Sequence, residues 1–151
     1  MEFDPSSSTP ESRAGLSTLP IPTVRKPPFT LLIVDDDADL RLLLRLALAD
    51  EPYTIYEAAN GEMALKMCLD LKPELILLDI ALPAMDGISV LQQVRQVNQT
   101  VSILMVSALH VEKWILAAIE NGADGFIAKP LNITTLRRLV AQQVTNGRQP
   151  C

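Results

Sequence analysis

Leu75-Ile76-Leu77-Leu78-Asp79 is a run of consecutive apolar residues closed by a carboxylate. Side chains along a strand point alternately to its two faces, so a run that is apolar at every position needs cover on both. Parallel sheets sandwiched between helices meet that condition. Other runs in the chain have the same form. Leu31-Leu32-Ile33-Val34 closes in Asp35-Asp36-Asp37, Ile103-Leu104-Met105-Val106 in Ser107, and Phe126-Ile127-Ala128 in Lys129-Pro130. Open parallel sheets carry their sites just past the carboxyl ends of their strands, so these polar endings are expected to converge on one pocket.

Between the runs, apolar spacing changes from continuous to helical. Strands are expected at 31–34, 54–57, 75–78, 103–106 and 125–128, and helices at 39–49, 61–71, 87–96, 111–121 and 133–143. Asn132 has the side chain of a helix N-cap, and Asn121-Gly122 reads as a helix stop. Strand–helix units repeated with short connections imply an α/β fold, a doubly wound five-stranded parallel sheet flanked by five helices. The domain is expected over residues 29–146. Ahead of it, residues 1–28 carry Pro5, Pro10, Pro20, Pro22, Pro27 and Pro28 among Ser and Thr. Such a composition buries too little apolar surface to offset ordering entropy, and a disordered tail is expected there. Residues 147–151 read as a short polar C-terminal tail.

A chain of 151 residues suffices for one domain with its own core. Its net charge is −5, and the densest basic group in the domain is Arg137-Arg138. Binding to phosphate backbones needs a concentrated basic surface, so nucleic-acid binding by this domain is not expected. Cys68 on an apolar helical face and Cys151 at the last position fit reduced thiols rather than a disulfide framework or zinc site, which points to the cytoplasm. No apolar stretch approaches the ~18 residues that cross a bilayer, so membrane insertion is not expected. Leu19-Pro20-Ile21-Pro22 is too broken by proline for a secretory signal.

The order of motifs, an acidic cluster, then Asp79 ahead of Leu82-Pro83 and Asp86-Gly87, then Ser107-Ala108, then Lys129-Pro130, resembles the receiver domain of two-component response regulators. The likeness covers nearly all of residues 29–146 and implies a flavodoxin-like strand order 2-1-3-4-5. It also implies roles. Asp79 would be the phosphoacceptor, with Mg²⁺ held directly by Asp36 and Asp79, through water by Asp35, and by the Ala81 backbone carbonyl. Lys129 and Ser107 would each engage a phosphoryl oxygen, with Pro130 in a cis peptide aiming Lys129 inward. Ser107 and Phe126 would form the switch, Phe126 replacing the usual tyrosine. The chemistry suits the residue types. A carboxylate takes a phosphoryl group when the incoming oxygens are neutralised and held in line, and clustered carboxylates suit a hard cation. In the family, a water that hydrolyses the acyl phosphate is held two positions past the Asp and two past the Ser. Those positions are Ala81 and Leu109, neither of which can bind water, so slow self-dephosphorylation is expected. The chain would be no enzyme beyond assisting its own phosphotransfer.

Other readings exist for each motif. One of Asp35 to Asp37, most naturally Asp37, caps the following helix. Asp79 could form a turn before Leu82-Pro83, Ser107 could cap a helix, Lys129 could be a surface residue, and Phe126 a permanent core ring. The spacing Asp35-x-Asp37-x-Asp39 has calcium-loop form, yet the turn glycine would fall on Leu40 and the closing glutamate on Leu46. A haloacid-dehalogenase phosphatase would need a second Asp where Ala81 stands. His110 lacks the helical setting of a phosphodonor.

The implied partners are a sensor histidine kinase or phosphotransfer protein and a downstream protein target. The kinase side would dock on the first helix, where Leu43, Leu44 and Ala47 are expected to face the sheet and leave Leu42 and Leu46 outward; a wide core stripe is the other reading of these leucines. The target would meet the fourth helix, last strand and last helix, with Trp114 and Ile115 as contact residues and a homodimer as another use of that face; a partly buried Trp114 without a partner is the other reading. Only a short polar end follows the last helix, so no DNA-binding output domain is expected. The alternatives are a receiver fragment of a larger regulator whose output domain was removed, a receiver attached to a kinase, and a receiver-like interaction module that is not phosphorylated.

Overall fold

Alternation along the central strands sorts the core into two layers. The computed structural model describes residues 29–108 and 112–146. The expectations placed on residues 1–28, on 147–151, and on Leu109 and His110 lie outside the described residues. The elements run β1 (Phe29–Val34), α1 (Ala38–Ala47), β2 (Tyr53–Ala58), α2 (Gly61–Leu71), β3 (Leu75–Leu78), α3 (Gly87–Val97), β4 (Ser102–Ser107), α4 (Glu112–Glu120), β5 (Gly125–Ala128) and α5 (Ile133–Asn146). The five strands form one sheet in the order β2-β1-β3-β4-β5. Each pairing is parallel, with Leu31 opposite Leu75 and Ile76 opposite Ile103.

Leu31, Ile33, Leu75, Leu77, Leu104 and Val106 pack to one side, against Leu44 and Leu48 at α1 and Leu136 and Val140 of α5. Leu32, Val34, Ile76, Leu78, Ile103 and Met105 pack to the other, against Ala64 of α2, Val90, Leu91 and Val94 of α3, and Ala118 of α4. All four residues of β3 are buried, which is the double cover that an unbroken apolar run requires. Each such Leu or Ile contributes about 1.5–3 kcal/mol by leaving water.

Helix starts are set by side chains accepting from orphan amides. Asp37 accepts from the amides of Asp39 and Leu40, Asn60 from Met63, Asp86 from Ser89 and Asn132 from Thr135. Gly122 stops α4 at a φ of +97°, a conformation glycine adopts without a Cβ penalty.

One expectation about α1 is corrected. Leu43 was expected to face the sheet, but it is 44% exposed, alongside Leu42 at 54% and Leu46 at 62%. Successive helical residues turn by about 100°, so a stripe through Leu40, Leu44, Ala47 and Leu48 carries Leu43 off to the side. On α4 the exposed large apolar residues are Leu116 and Ile119, whereas Trp114 and Ile115 are half-buried, Trp114 against the core.

At the end of the sheet where the strands begin, Arg95 of α3 is buried and fully engaged. Its guanidinium donates to the carbonyls of Val101 (2.6 Å), Gly122 (3.0 Å) and Asn98 (3.3 Å) and to the Asp124 carboxylate at 3.0 Å. Asp124 also accepts from the Ile103 amide at 2.8 Å, so one ion pair ties α3, the entry to β4 and the entry to β5 together. A buried pair with its remaining donors satisfied holds the geometry that an isolated buried charge would disrupt.

Candidate functional site

The polar strand endings do converge. Asp35 follows β1, and its amide donates to the Ala58 carbonyl at 3.1 Å. Asp79 follows β3 and extends the ladder by donating its amide to the Val34 carbonyl at 3.0 Å. Both side chains are almost wholly buried, because strand pairing fixes their backbones at the rim of the core. Lys129 follows β5, where its amide donates to the Ser107 carbonyl at 3.0 Å. Its ammonium donates to Asp35 Oδ2 at 2.8 Å and to Asp79 Oδ2 at 2.9 Å. The surface-lysine reading of Lys129 therefore fails. Ser107 is the last residue of β4 and is fully buried. The Lys129–Pro130 peptide is cis, as the motif implied.

The carboxylate oxygens of Asp35, Asp36 and Asp79 lie within 4.8 Å of one another, with Asp36 exposed and the other two buried. Like charges at this range repel, and the ammonium of Lys129 offsets them on one side only. Burial pushes the Asp35 carboxyl above its ordinary value, against the hydrogen bonds from Lys129 and the Asp37 amide that favour its charged form. Burial also pulls the Lys129 ammonium down, but the bonds to Asp35 and Asp79 and their charges outweigh it and hold the group above its ordinary value. Lys129 is thus a fixed cation at neutral pH. All the clustered donors are carboxylate oxygens, a set that fits Mg²⁺.

The oxygens of Asp79 are unequally engaged. Oδ2 meets Lys129, while Oδ1 accepts from the Ala81 amide at 3.1 Å. Ala81 itself is exposed, in the loop between β3 and α3. Phe126 is half-buried, lies opposite Met105 in register and packs on the α2–α3–α4 side of the core.

Two neighbours of the site were not singled out from sequence. Arg41 of α1 donates to the Asp35 backbone carbonyl at 2.6 Å and to Glu57 of β2 at 2.9 Å, bracing the acidic turn from behind. Gly87 brings its amide to the Ile80 carbonyl at 2.7 Å, and a Cβ there would sit 2.0 Å from the Asp79 carbonyl oxygen. The Asp86-Gly87 pair was visible in the sequence, but the close approach that demands glycine was not.

Comparison with known proteins agrees with this geometry. Residues 31–141 match the family model for the response regulator receiver domain. The transcriptional regulatory protein AfsQ1 of Streptomyces coelicolor is 36% identical over 80% of this chain and 53% of its own length. The chain therefore spans about half the length of that relative. The crystal structure of a two-component response regulator from Clostridium difficile has a TM-score of 0.75 at 29% identity, over 78% of this chain and 97% of that one. The CheX–CheY–BeF3–Mg²⁺ complex of Borrelia burgdorferi gives a TM-score of 0.74 at 31% identity, over 77% of this chain and 89% of that one. Strand order, pocket and family match agree, and the chain belongs to the response regulator receiver domains of two-component systems.

Proposed function

We propose that Asp79 accepts a phosphoryl group from a phosphorylated histidine on a sensor kinase or phosphotransfer protein. The observation that carries this reading is the pairing of Lys129 with both Asp35 and Asp79 beside the carboxylate cluster. An Asp79 oxygen attacks phosphorus, the bond from phosphorus to the donor nitrogen breaks, and the electron pair stays with the departing imidazole. Lys129 gives one incoming oxygen a fixed cation and the Ser107 hydroxyl gives another a hydrogen bond. Asp36, Asp79 and the Ala81 carbonyl would hold Mg²⁺ directly. Asp35, whose oxygens already accept from Lys129 and the Asp37 amide, would act through water. The ion supplies charge neutralisation at the transferring group.

Incubation with Mg²⁺ and acetyl phosphate, followed by intact mass, tests the reading. One phosphoryl adduct is expected, and Asp79→Asn should remove it while leaving the fold intact. No adduct on the wild-type chain would leave an interaction module in place of a phosphoacceptor.

The state formed should be long-lived. Ala81 offers no side-chain hydrogen bond to an attacking water, and by sequence neither does Leu109. The double variant Ala81→Asn with Leu109→Glu should lose its phosphoryl group about tenfold faster or more, on the scale set by positioning a nucleophilic water. Unchanged decay would reject hydrolysis control at these positions.

The switch residues in this reading are Ser107 and Phe126. Drawing the Ser107 hydroxyl toward the phosphoryl group opens space into which the Phe126 ring moves, changing the α4–β5–α5 face. Leu116 and Ile119 are exposed there and would meet the downstream protein target or, in a homodimer, a second copy. The upstream partner would dock on α1 through Leu42, Leu43 and Leu46. No helix among the described residues is long and apolar enough to cross a membrane. The site of action would be the cytoplasm, where kinase domains and thiols like Cys68 are found.

A further inference from the structure

Asp35 is held at every polar atom. Its amide donates to the Ala58 carbonyl at 3.1 Å, Oδ1 accepts from the Asp37 amide at 2.9 Å, Oδ2 from the Lys129 ammonium at 2.8 Å, and the carbonyl oxygen from Arg41 Nη1 at 2.6 Å. The last of these bonds does not touch the carboxylate. It fixes the peptide unit that joins Asp35 to Asp36. Because that unit is planar, fixing its oxygen also fixes the direction in which the Asp36 α carbon departs. Asp36 is the exposed member of the carboxylate cluster, so its aim depends on its backbone.

Arg41 is itself braced. Its side chain is 17% exposed, and Nε donates to Glu57 Oε1 at 2.9 Å. Arg45 holds the other oxygen of Glu57 at 2.7 Å and the Ile55 carbonyl at 3.1 Å. Glu57 precedes Ala58, the residue that takes the Asp35 amide, so β2 grips the turn twice, once directly and once through Arg41. The Arg41 amide also donates to the Asp37 carbonyl at 3.0 Å, which closes a circuit from residue 35 through the cap of α1 and back.

We propose that Arg41 is a positioning residue for the metal site: by holding the Asp35–Asp36 peptide it sets the Asp36 carboxylate for direct ligation of Mg²⁺. The proposal rests on the reading that Asp36 and Asp79 hold the ion. A guanidinium near a cation site repels the cation, so as a charge alone Arg41 would weaken binding. Any gain comes from geometry. Arginine suits the task because its planar fork carries donors in fixed relation, one for Glu57 and one for the carbonyl, which the compact ammonium of lysine does not reproduce. Partners that orient metal ligands without touching the metal are commonly worth about tenfold to a hundredfold in affinity. Here the link runs through one backbone bond, and the lower end of that range is expected.

Titration of the full chain with Mg²⁺ alone, followed through the amide resonances of residues 36 and 79–81, tests this. Arg41→Met should raise the Kd for Mg²⁺ about tenfold. Arg41→Lys, which keeps the charge and most of the stem, should raise it several-fold, and it carries the comparison by itself should Arg41→Met fail to fold. Arg45→Gln removes the other arginine from Glu57 but no contact with the turn, and its Kd should stay close to that of the wild-type chain. Thermal unfolding without the ion should show a lowered midpoint in all three, which separates stability from binding. Tighter binding by Arg41→Met would mean that the guanidinium acts only as a charge, and an unchanged Kd in the Arg41 variants would reduce it to a brace of the fold. Either result overturns the proposal. So would equal weakening in Arg45→Gln, which would spread the effect over the whole junction of α1 with β2. A wild-type chain that binds no Mg²⁺ would remove the metal-site reading itself and this proposal with it.

Discussion

Asp79, Ser107 and Lys129 were legible because each stands at the end of an apolar run, and a parallel sheet brings such ends together whatever the intervening helices do. Arg41 and Gly87 were not legible, because their roles depend on distances across the chain rather than on neighbours in sequence. Arg41 reaches back from α1 to the Asp35 carbonyl, and nothing in its local helix signals that. Gly87 carries a prediction. Its α carbon is so close to the Asp79 carbonyl oxygen that an added methyl would sit 2.0 Å from it, and 2.7 Å from the Ile80 α carbon. Both obstacles are backbone, so neither can rotate away. Gly87→Ala should therefore displace the segment carrying Asp79 and cost about 1–3 kcal/mol of stability, the range for overpacking. Urea unfolding should show that loss, and adduct formation with acetyl phosphate should slow as well. A variant with wild-type stability would mean that the loop relaxes freely.

At the scale of elements, the strands and helices lay within a few residues of where periodicity placed them, because continuous apolar runs and capping side chains are strong local signals. The division of faces was harder. Leu42, Leu43, Leu44 and Leu46 are chemically alike, so composition alone could not show that the buried stripe excludes Leu43. A second element-level feature is the junction of α1 with β2, where Glu57 accepts from Arg45 at 2.7 Å and Arg41 at 2.9 Å. The Arg45 hydrogen bond, helped by Arg41 and opposed by partial burial, holds the Glu57 carboxyl below its ordinary value of 4.5. A group with a lowered folded value contributes stability that is present above its unfolded value and lost as pH falls through the folded one. The advantage of the wild-type chain over Glu57→Gln should accordingly be full at pH above 4.5 and shrink below it. Thermal midpoints of the two chains measured across that range check this, and a constant difference would rule out the ion pairs as its source.

Across the whole molecule, an acidic cluster at the strand ends and an exposed apolar face on a flanking helix share one sheet as their support. The carboxyl ends of the strands hold the acidic cluster, while α1 places Leu42, Leu43 and Leu46 outside the core beside it. These exposed leucines, at three- and four-residue spacing, add nothing to the buried core. If a donor protein docks there, its contribution separates cleanly from the chemistry. Leu42→Asp with Leu46→Asp leaves the buried stripe intact, so stability should change by only about 0.5 kcal/mol. Phosphorylation by acetyl phosphate should also be unchanged, since a small donor reaches Asp79 without touching α1. Phosphotransfer from a histidine kinase or phosphotransfer protein should fall about tenfold to a hundredfold, the effect of losing one or two apolar anchors worth roughly 1.4–3 kcal/mol. Equal slowing with both donors would place the damage in the pocket, and no slowing with either would show that the upstream partner approaches from another side.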